Sequence, residues 1–408
     1  MLINRRNALM AGKRLPYDAE VEYLESSGTQ FIDTGVIPTT DLEFELHVKF
    51  SALLTTTGQV PMGFRYVQGL QWRYMVSNYP YLGTSTTYSY ASFFNNQRCY
   101  AAKVGTLEYV FSLKNGVFSN GIGNNTQVSM SGTPPITPIP DNWTIYLFKG
   151  NQINEGSDPF TGRIYSLKFW RNGVLVRDFI PVRKGTVGYL YDRVSGKLFG
   201  NAGTGDFVLG QDVVPVEYIE SHGTEWIDTG VTPDFNLSMS ATLCRTDTTA
   251  GFLFGARQTN ATNSFCLASF STYARFDFGG NDSAQGQTKI SPICDGKMHT
   301  ISVAYPTITV DGTTGNMTPV SSFSLNQNIV LFANNTNGSI TKYSGVRIAA
   351  LRLYSNGVLV RDYQPVRVGS GSTWEGAMMD VLTRRIYRNA GTGAFSYGND
   401  LKYPIPSE

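Results

Sequence analysis

From Asp41 to Phe50 the chain alternates without a break. Leu42, Phe44, Leu46, Val48 and Phe50 fall on one side, and Asp41, Glu43, Glu45, His47 and Lys49 on the other. Side chains of an extended strand point to opposite faces in turn, so this pattern predicts a strand with one buried and one wet face. Such strands belong to antiparallel sheets packed face to face. Leu107 to Phe118 predicts a hairpin turning at Asn115-Gly116, because Asn-Gly supplies the positive φ angles of a tight type I′ turn. After a proline-rich loop from Pro134 to Pro140, Thr144-Ile145-Tyr146-Leu147-Phe148 predicts another strand. Helix formers nowhere accumulate into a long amphipathic run.

The pattern is written twice. Val21-Glu22-Tyr23-Leu24-Glu25-Ser26-Ser27-Gly28-Thr29-Gln30-Phe31-Ile32-Asp33-Thr34-Gly35-Val36 returns without a gap from Val216 to Val231, and the changes keep apolar positions apolar. A closing block repeats as well. Arg163 to Trp170, turning at Asn172-Gly173 into Val174-Leu175-Val176-Arg177-Asp178-Phe179, has its twin in Arg347 to Tyr354, Asn356-Gly357 and Val358 to Tyr363. Asn201-Ala202-Gly203-Thr204-Gly205 returns as Asn389-Ala390-Gly391-Thr392-Gly393. Asp192 and Asp380 are kept beside a variable aromatic, which predicts that the aspartate organises a turn. The expected fold is all-β: two tandem antiparallel β-sandwich domains, 21–211 and 212–400, after a basic arm over 1–20 and before a C-terminal extension over 401–408.

Composition narrows the function classes. A length of 408 residues suits two or three domains, and 41% hydrophobic against 16% charged residues describes core-forming chains. The net charge of +2 supplies no global field for nucleic acid or an acidic membrane. No stretch approaches the apolar length of a membrane span. The apolar run Ala8 to Gly12 is shorter than a signal-peptide core, so no cleaved export signal is expected. Cys99, Cys244, Cys266 and Cys294 show no Cys-x-x-Cys spacing and read as small buried residues, with their disulfide state left open.

The opening Val-Glu-Tyr-Leu-Glu-Ser-x-Gly-Thr-x-x-Ile-Asp-Thr-Gly motif, with Gly-Val-Leu-Val-Arg-Asp-x-x-Pro-Val-Arg and Asn-Ala-Gly-Thr-Gly-x-Phe, resembles the concanavalin A-like, laminin-G-like jelly-roll domains of gut bacterial proteins and their bacteriophages. The resemblance covers both domains and describes framework. It implies a non-catalytic structural or adhesive protein on a virion surface: a head fibre, a decoration or a tail-associated protein. Arg5, Arg6, Lys13 and Arg14 would then dock the arm to other virion proteins, such as the capsid, in a homo-oligomer. The alternative is a bacterial carbohydrate-binding surface protein, and a third reading is a glycoside hydrolase.

Candidate chemistry follows from residue types. Glycosidases need paired carboxylates on one face. Asp41, Glu43 and Glu45 share a face, but the second copy, Asn236 to Ala241, has no carboxylate, so a solvated strand face is the better account. His47, His222 and His299 share no ligand spacing, and no cofactor is expected. Asp33 and Asp228 could serve calcium in a related fold, yet no motif supports it, and a turn role is expected. Glycan binding is the most credible small-ligand activity, since aromatic faces stack on sugar C–H surfaces beside hydrogen-bonding groups. The candidates are Arg65, Trp72, Tyr74, Asn78, Tyr79 and Tyr81 in the first domain, and Arg257, Asn260, Tyr273, Arg275 and Phe276 in the second.

Overall fold

The computed structural model describes residues 15–51, 58–66, 72–80, 87–94, 97–103, 106, 108–121, 125–128, 139–153, 158–248, 250–258, 262–282, 285–290, 292–320 and 322–401. The chain divides into two compact units, Met1–Asp212 and Val213–Glu408. The described residues form strands and turns and no helix. Each unit is a β-sandwich whose described strands pair antiparallel except for one parallel pairing in its smaller sheet.

In the first unit the strand Leu42–Phe50 lies between Glu108–Lys114 and Thr161–Arg171. Thr161–Arg171 continues through Val174–Lys184 to Val187–Asp192. A smaller sheet runs Gln59–Tyr66, Trp72–Pro80, Thr87–Phe93 and Gln97–Lys103 in chain order. Leu42, Phe44, Leu46, Val48 and Phe50 all turn inward and meet Met62, Phe64, Tyr74 and Val76 of the smaller sheet. The alternation read from Asp41 to Phe50 is therefore the inner face of a sandwich. Each such side chain contributes about 1.5–3 kcal/mol by leaving water. One position departs from the pattern: His47 points away from the core yet is buried, because its ring stacks on Tyr165 at 4.3 Å.

The second unit repeats this plan. Leu237–Arg245 lies between His299–Ala304 and Gly345–Ser355, which continues through Val358–Ser370 to Thr373–Asp380. Its smaller sheet runs Gly251–Arg257, Thr262–Ser269, Ala274–Asp282 and Gln285–Ile290. Phe254, Phe265, Leu267, Phe276 and Phe278 face the core.

The repeated motifs are hydrogen-bonding devices. Asp33 Oδ1 accepts the N–H of Gly35 at 2.9 Å, and Asp228 Oδ1 that of Gly230 at 2.8 Å. Thr34 and Thr229 donate their hydroxyls to the carbonyls of Ile145 and Ile329. Asp192 accepts the N–H groups of Asp178 and Val194 and the hydroxyl of Ser195. Asp380 does the same for Asp362, Leu382 and Thr383. The turns at Asn115-Gly116, Asn172-Gly173 and Asn356-Gly357 have positive φ at both residues, as a type I′ turn requires.

Three expectations change. The strand expected over Thr144–Phe148 shortens to Tyr146–Leu147, because Phe148 adopts a φ of 63° and breaks the extended run. Phe332 does likewise in the second unit, at 69°. The first unit begins before residue 21, inside the arm expected over 1–20, since Tyr17 is buried against Ile180, Val182 and Tyr191 and Ala19 pairs with Arg183. Arg5, Arg6, Lys13 and Arg14 lie outside the described residues. Finally, Cys244 and Cys266 are buried while Cys294 is only half-buried, and all three are free thiols.

Candidate binding face of the second unit

The alternation Ala274-Arg275-Phe276-Asp277-Phe278 turns Ala274, Phe276 and Phe278 into the core and leaves Arg275 and Asp277 on the sheet's other face. Neighbouring strands add to that face. Cys266 stands opposite Asp277, and Ala268 and Lys289 stand on either side of Arg275 in register. Phe252, Cys266 and Ala268 form a small apolar cluster there, with Phe270 packed against it.

Between Thr262–Ser269 and Ala274–Asp282 the chain turns through Phe270-Ser271-Thr272-Tyr273, closed by the N–H of Phe270 donating to the carbonyl of Tyr273 at 2.9 Å. The rings of Phe270 and Tyr273 stack with centroids 4.7 Å apart, and both are half-buried. Arg275 lies over Phe270 at 5.6 Å and Lys289 over Tyr273 at 4.9 Å. Arg257 lies over Phe252 at 5.0 Å and donates from Nε to Thr336 Oγ1 at 2.9 Å. The face thus joins an aromatic ledge to three cations.

Asp277 is the carboxylate beneath them. It is 1% exposed and accepts from Arg275 at 2.9 Å. Burial pushes its carboxyl up to about 6 against the pull of Arg275 and Arg257. Among the described residues, Asp277 Oδ1, Arg275 Nε and Ser264 Oγ are buried without a hydrogen-bond partner. Burial raises the Cys266 thiol far above its ordinary value, so it stays protonated.

The candidate residues separate accordingly. Arg257, Tyr273 and Arg275 come together on this face. Phe276 does not, because it is wholly buried on the core side. Tyr74 is a core residue too: it is wholly buried, donates to the carbonyl of Leu42 at 2.8 Å and packs on Phe44 and Phe93. It has no face to offer a sugar. Arg65 takes the place in the first unit that Arg257 takes in the second, since Gly63 and Gly255 occupy matching positions before them. It is half-buried opposite Arg73. Trp72, Asn78 and Tyr79 lie on the strand Trp72–Pro80, but their side chains, with all of Tyr81 and Asn260, fall outside the described residues. Phe270, Lys289 and Asp277 were missed. The alternating Arg275 and Asp277 was the available signal for the last, whereas Lys289 meets the ledge only through strand pairing.

A cleft of about 340 Å³ in the first unit is lined by Asp41, Glu43 and the turns at Asn115 and Asn172. Its carboxylates already have structural partners. Asp41 accepts from the Asn172 amide at 3.0 Å, and Glu43 from the N–H of Asn115 at 2.7 Å. Nearby Glu45 pairs with Lys114 at 2.7 Å. Among the described residues no group of three His, Cys, Asp or Glu side chains is placed to hold a metal ion.

No family model matches the chain, and no curated protein matches it. Among solved structures it is similar to domains LG4-5 of the mouse laminin alpha1 chain, with 13% identity over 85% of this chain and 93% of that one, at a TM-score of 0.27. The LG1-3 region of the laminin alpha2 chain is similar at 12% identity over 83% and 62%, with a TM-score of 0.27. The NanB sialidase of Streptococcus pneumoniae is similar at 8% identity over 92% and 75%, with a TM-score of 0.22. Similarity at this level assigns neither ligand nor activity.

Proposed function

We propose that the chain is a non-catalytic structural and adhesive protein that binds glycan on the outer face of the second unit's smaller sheet. The observation that carries this reading is the stacked Phe270–Tyr273 ledge with Arg275 and Lys289 lying across it. A rigid aromatic surface offers stacking to the C–H face of a pyranose at little entropic cost, and the adjoining cations offer hydrogen bonds to its oxygens. The carboxylates that a glycosidase would need are engaged at turns and strand partners in the first unit, which favours binding over hydrolysis.

The motif resemblance supports the setting: the surface of a gut-bacterial phage particle, with the basic arm docked to other virion proteins and several copies displayed together. Weak single-site contacts then add through multivalency. A glycan array probed with the full chain tests the binding reading. Selective binding that Tyr273→Ala abolishes supports it, and silence across the array refutes it. Mass spectrometry of purified particles tests the setting, which fails if this chain is missing from them.

A further inference from the structure

The binding face carries more positive charge than its own carboxylate can neutralise. Arg275 and Lys289 stand directly opposite each other on adjacent strands, an arrangement that costs stability unless an anion lies between them. Each leans on one ring of the same stacked pair, so both cations border a single ledge. Lys289 is exposed and Arg275 keeps a fifth of its side chain in solvent, so a ligand can reach them.

Asp277 sits below. From its own strand Arg275 bonds to it. Arg257 acts on it from Gly251–Arg257, Cys266 faces it from Thr262–Ser269, and Gln287 is its register partner on Gln285–Ile290. Asn334, beyond Cys266, accepts the thiol. Asp277 is the one carboxylate among these described groups, and it holds Arg275 through a single oxygen while its other oxygen and Arg275 Nε, both buried, stay unpartnered among the described residues. That is an incomplete ion pair. A second anion can reach the part of the Arg275 side chain that stays in solvent, though not Nε, which is buried.

We propose that the saccharide taken by this face is acidic, with its carboxylate group seated between Arg275 and Lys289, and that Asp277 is the internal counter-ion with which it competes. The proposal rests on the glycan-binding reading and adds the ligand's charge and its regulation. Asp277 is held up to about 6, whereas an ordinary carboxylic acid stays ionised down to about pH 4. Between those values Asp277 is protonated, Arg275 is released and the ligand keeps its charge. Affinity therefore rises as pH falls from 8 to about 5 and drops again below about 4.

The test uses the full chain on an array of uronic-acid oligosaccharides, each printed beside its neutral methyl ester, with titrations of the best binder from pH 8 to 5. The expected result is binding to the acids and not to the esters, strengthened by acid. Asp277→Asn should bind about two- to fivefold more tightly at pH 8, as expected for removing one competing ion pair, and lose the pH dependence. Arg275→Gln and Lys289→Gln should each weaken binding. Equal binding to acids and esters overturns the proposal while leaving glycan binding intact. Silence toward both overturns the proposal, and silence across the general glycan array as well refutes the glycan reading itself. Weaker binding by Asp277→Asn, or wild-type affinity that does not change with pH, overturns the counter-ion role; the second measurement needs no variant to fold.

Discussion

Replacing Asp277 with asparagine should stabilise the protein, and only above mild acidity. The carboxyl is 1% exposed, and burial raises it from its ordinary 3.8 to about 6 despite Arg275 at 2.9 Å. A displacement of that size costs the charged folded state about 3 kcal/mol. Between 3.8 and 6 the folded protein holds this proton and the unfolded chain does not, so stability falls as pH rises through that window. Above it the whole cost applies, and below it none does. An asparagine never ionises and so avoids the cost, but it gives Arg275 a weaker acceptor. The net gain should be about 1–3 kcal/mol at pH 8, shrinking toward zero near pH 4. Denaturant unfolding of wild type and variant at pH 4, 6 and 8 measures it. A variant less stable than wild type at pH 8, or an advantage equal at all three values, would refute the reasoning.

Other expectations follow from single contacts. Tyr74→Phe leaves the buried carbonyl of Leu42 without its donor and should cost about 1–2 kcal/mol in chemical unfolding, with glycan binding unchanged. His299 lies between Asp311 at 2.6 Å and Asp295 at 2.9 Å; burial lowers its imidazole, but the bonds and charges of both carboxylates outweigh this and raise it. Its contribution is full below about pH 6.5 and fades as pH rises through the raised value, so His299→Gln should flatten that part of the stability profile. Gly173→Ala and Gly357→Ala each force a side chain into a φ of 75° and should each lower stability by about 1 kcal/mol, read from melting curves. Glu43→Ala removes the acceptor for the Asn115 N–H and should cost about 1 kcal/mol in chemical unfolding, and a polysaccharide hydrolysis assay should read no activity that the substitution removes.

The sequence alone determined what local rules decide. Strict alternation from Asp41 to Phe50 marks a half-buried strand, Asn-Gly pairs mark type I′ turns, and Asp33 and Asp192 mark turns through the bonds they accept from Gly35, Val194 and Ser195, two or three residues on. Two tandem sandwiches follow from those repeats. Which aromatic faces the core and which faces water was decided only in three dimensions. Tyr74 and Tyr273 sit in similar polar, aromatic stretches, yet one is sealed in the core and the other lies on the ledge. The smaller sheet of the second unit shifts register between Phe252 and Phe254 and again between Thr262 and Phe265, and each shift offsets the inside–outside alternation against the neighbouring strand. Lys289 reaches Tyr273, and Cys266 faces Asp277, only because separate strands pair side by side. Local pattern thus specified the strands and turns of the framework, because the turn bonds of Asp33 and Asp192 to the residues that follow them are short in sequence. The face proposed to bind is assembled from four strands, and the register between them decides its chemistry.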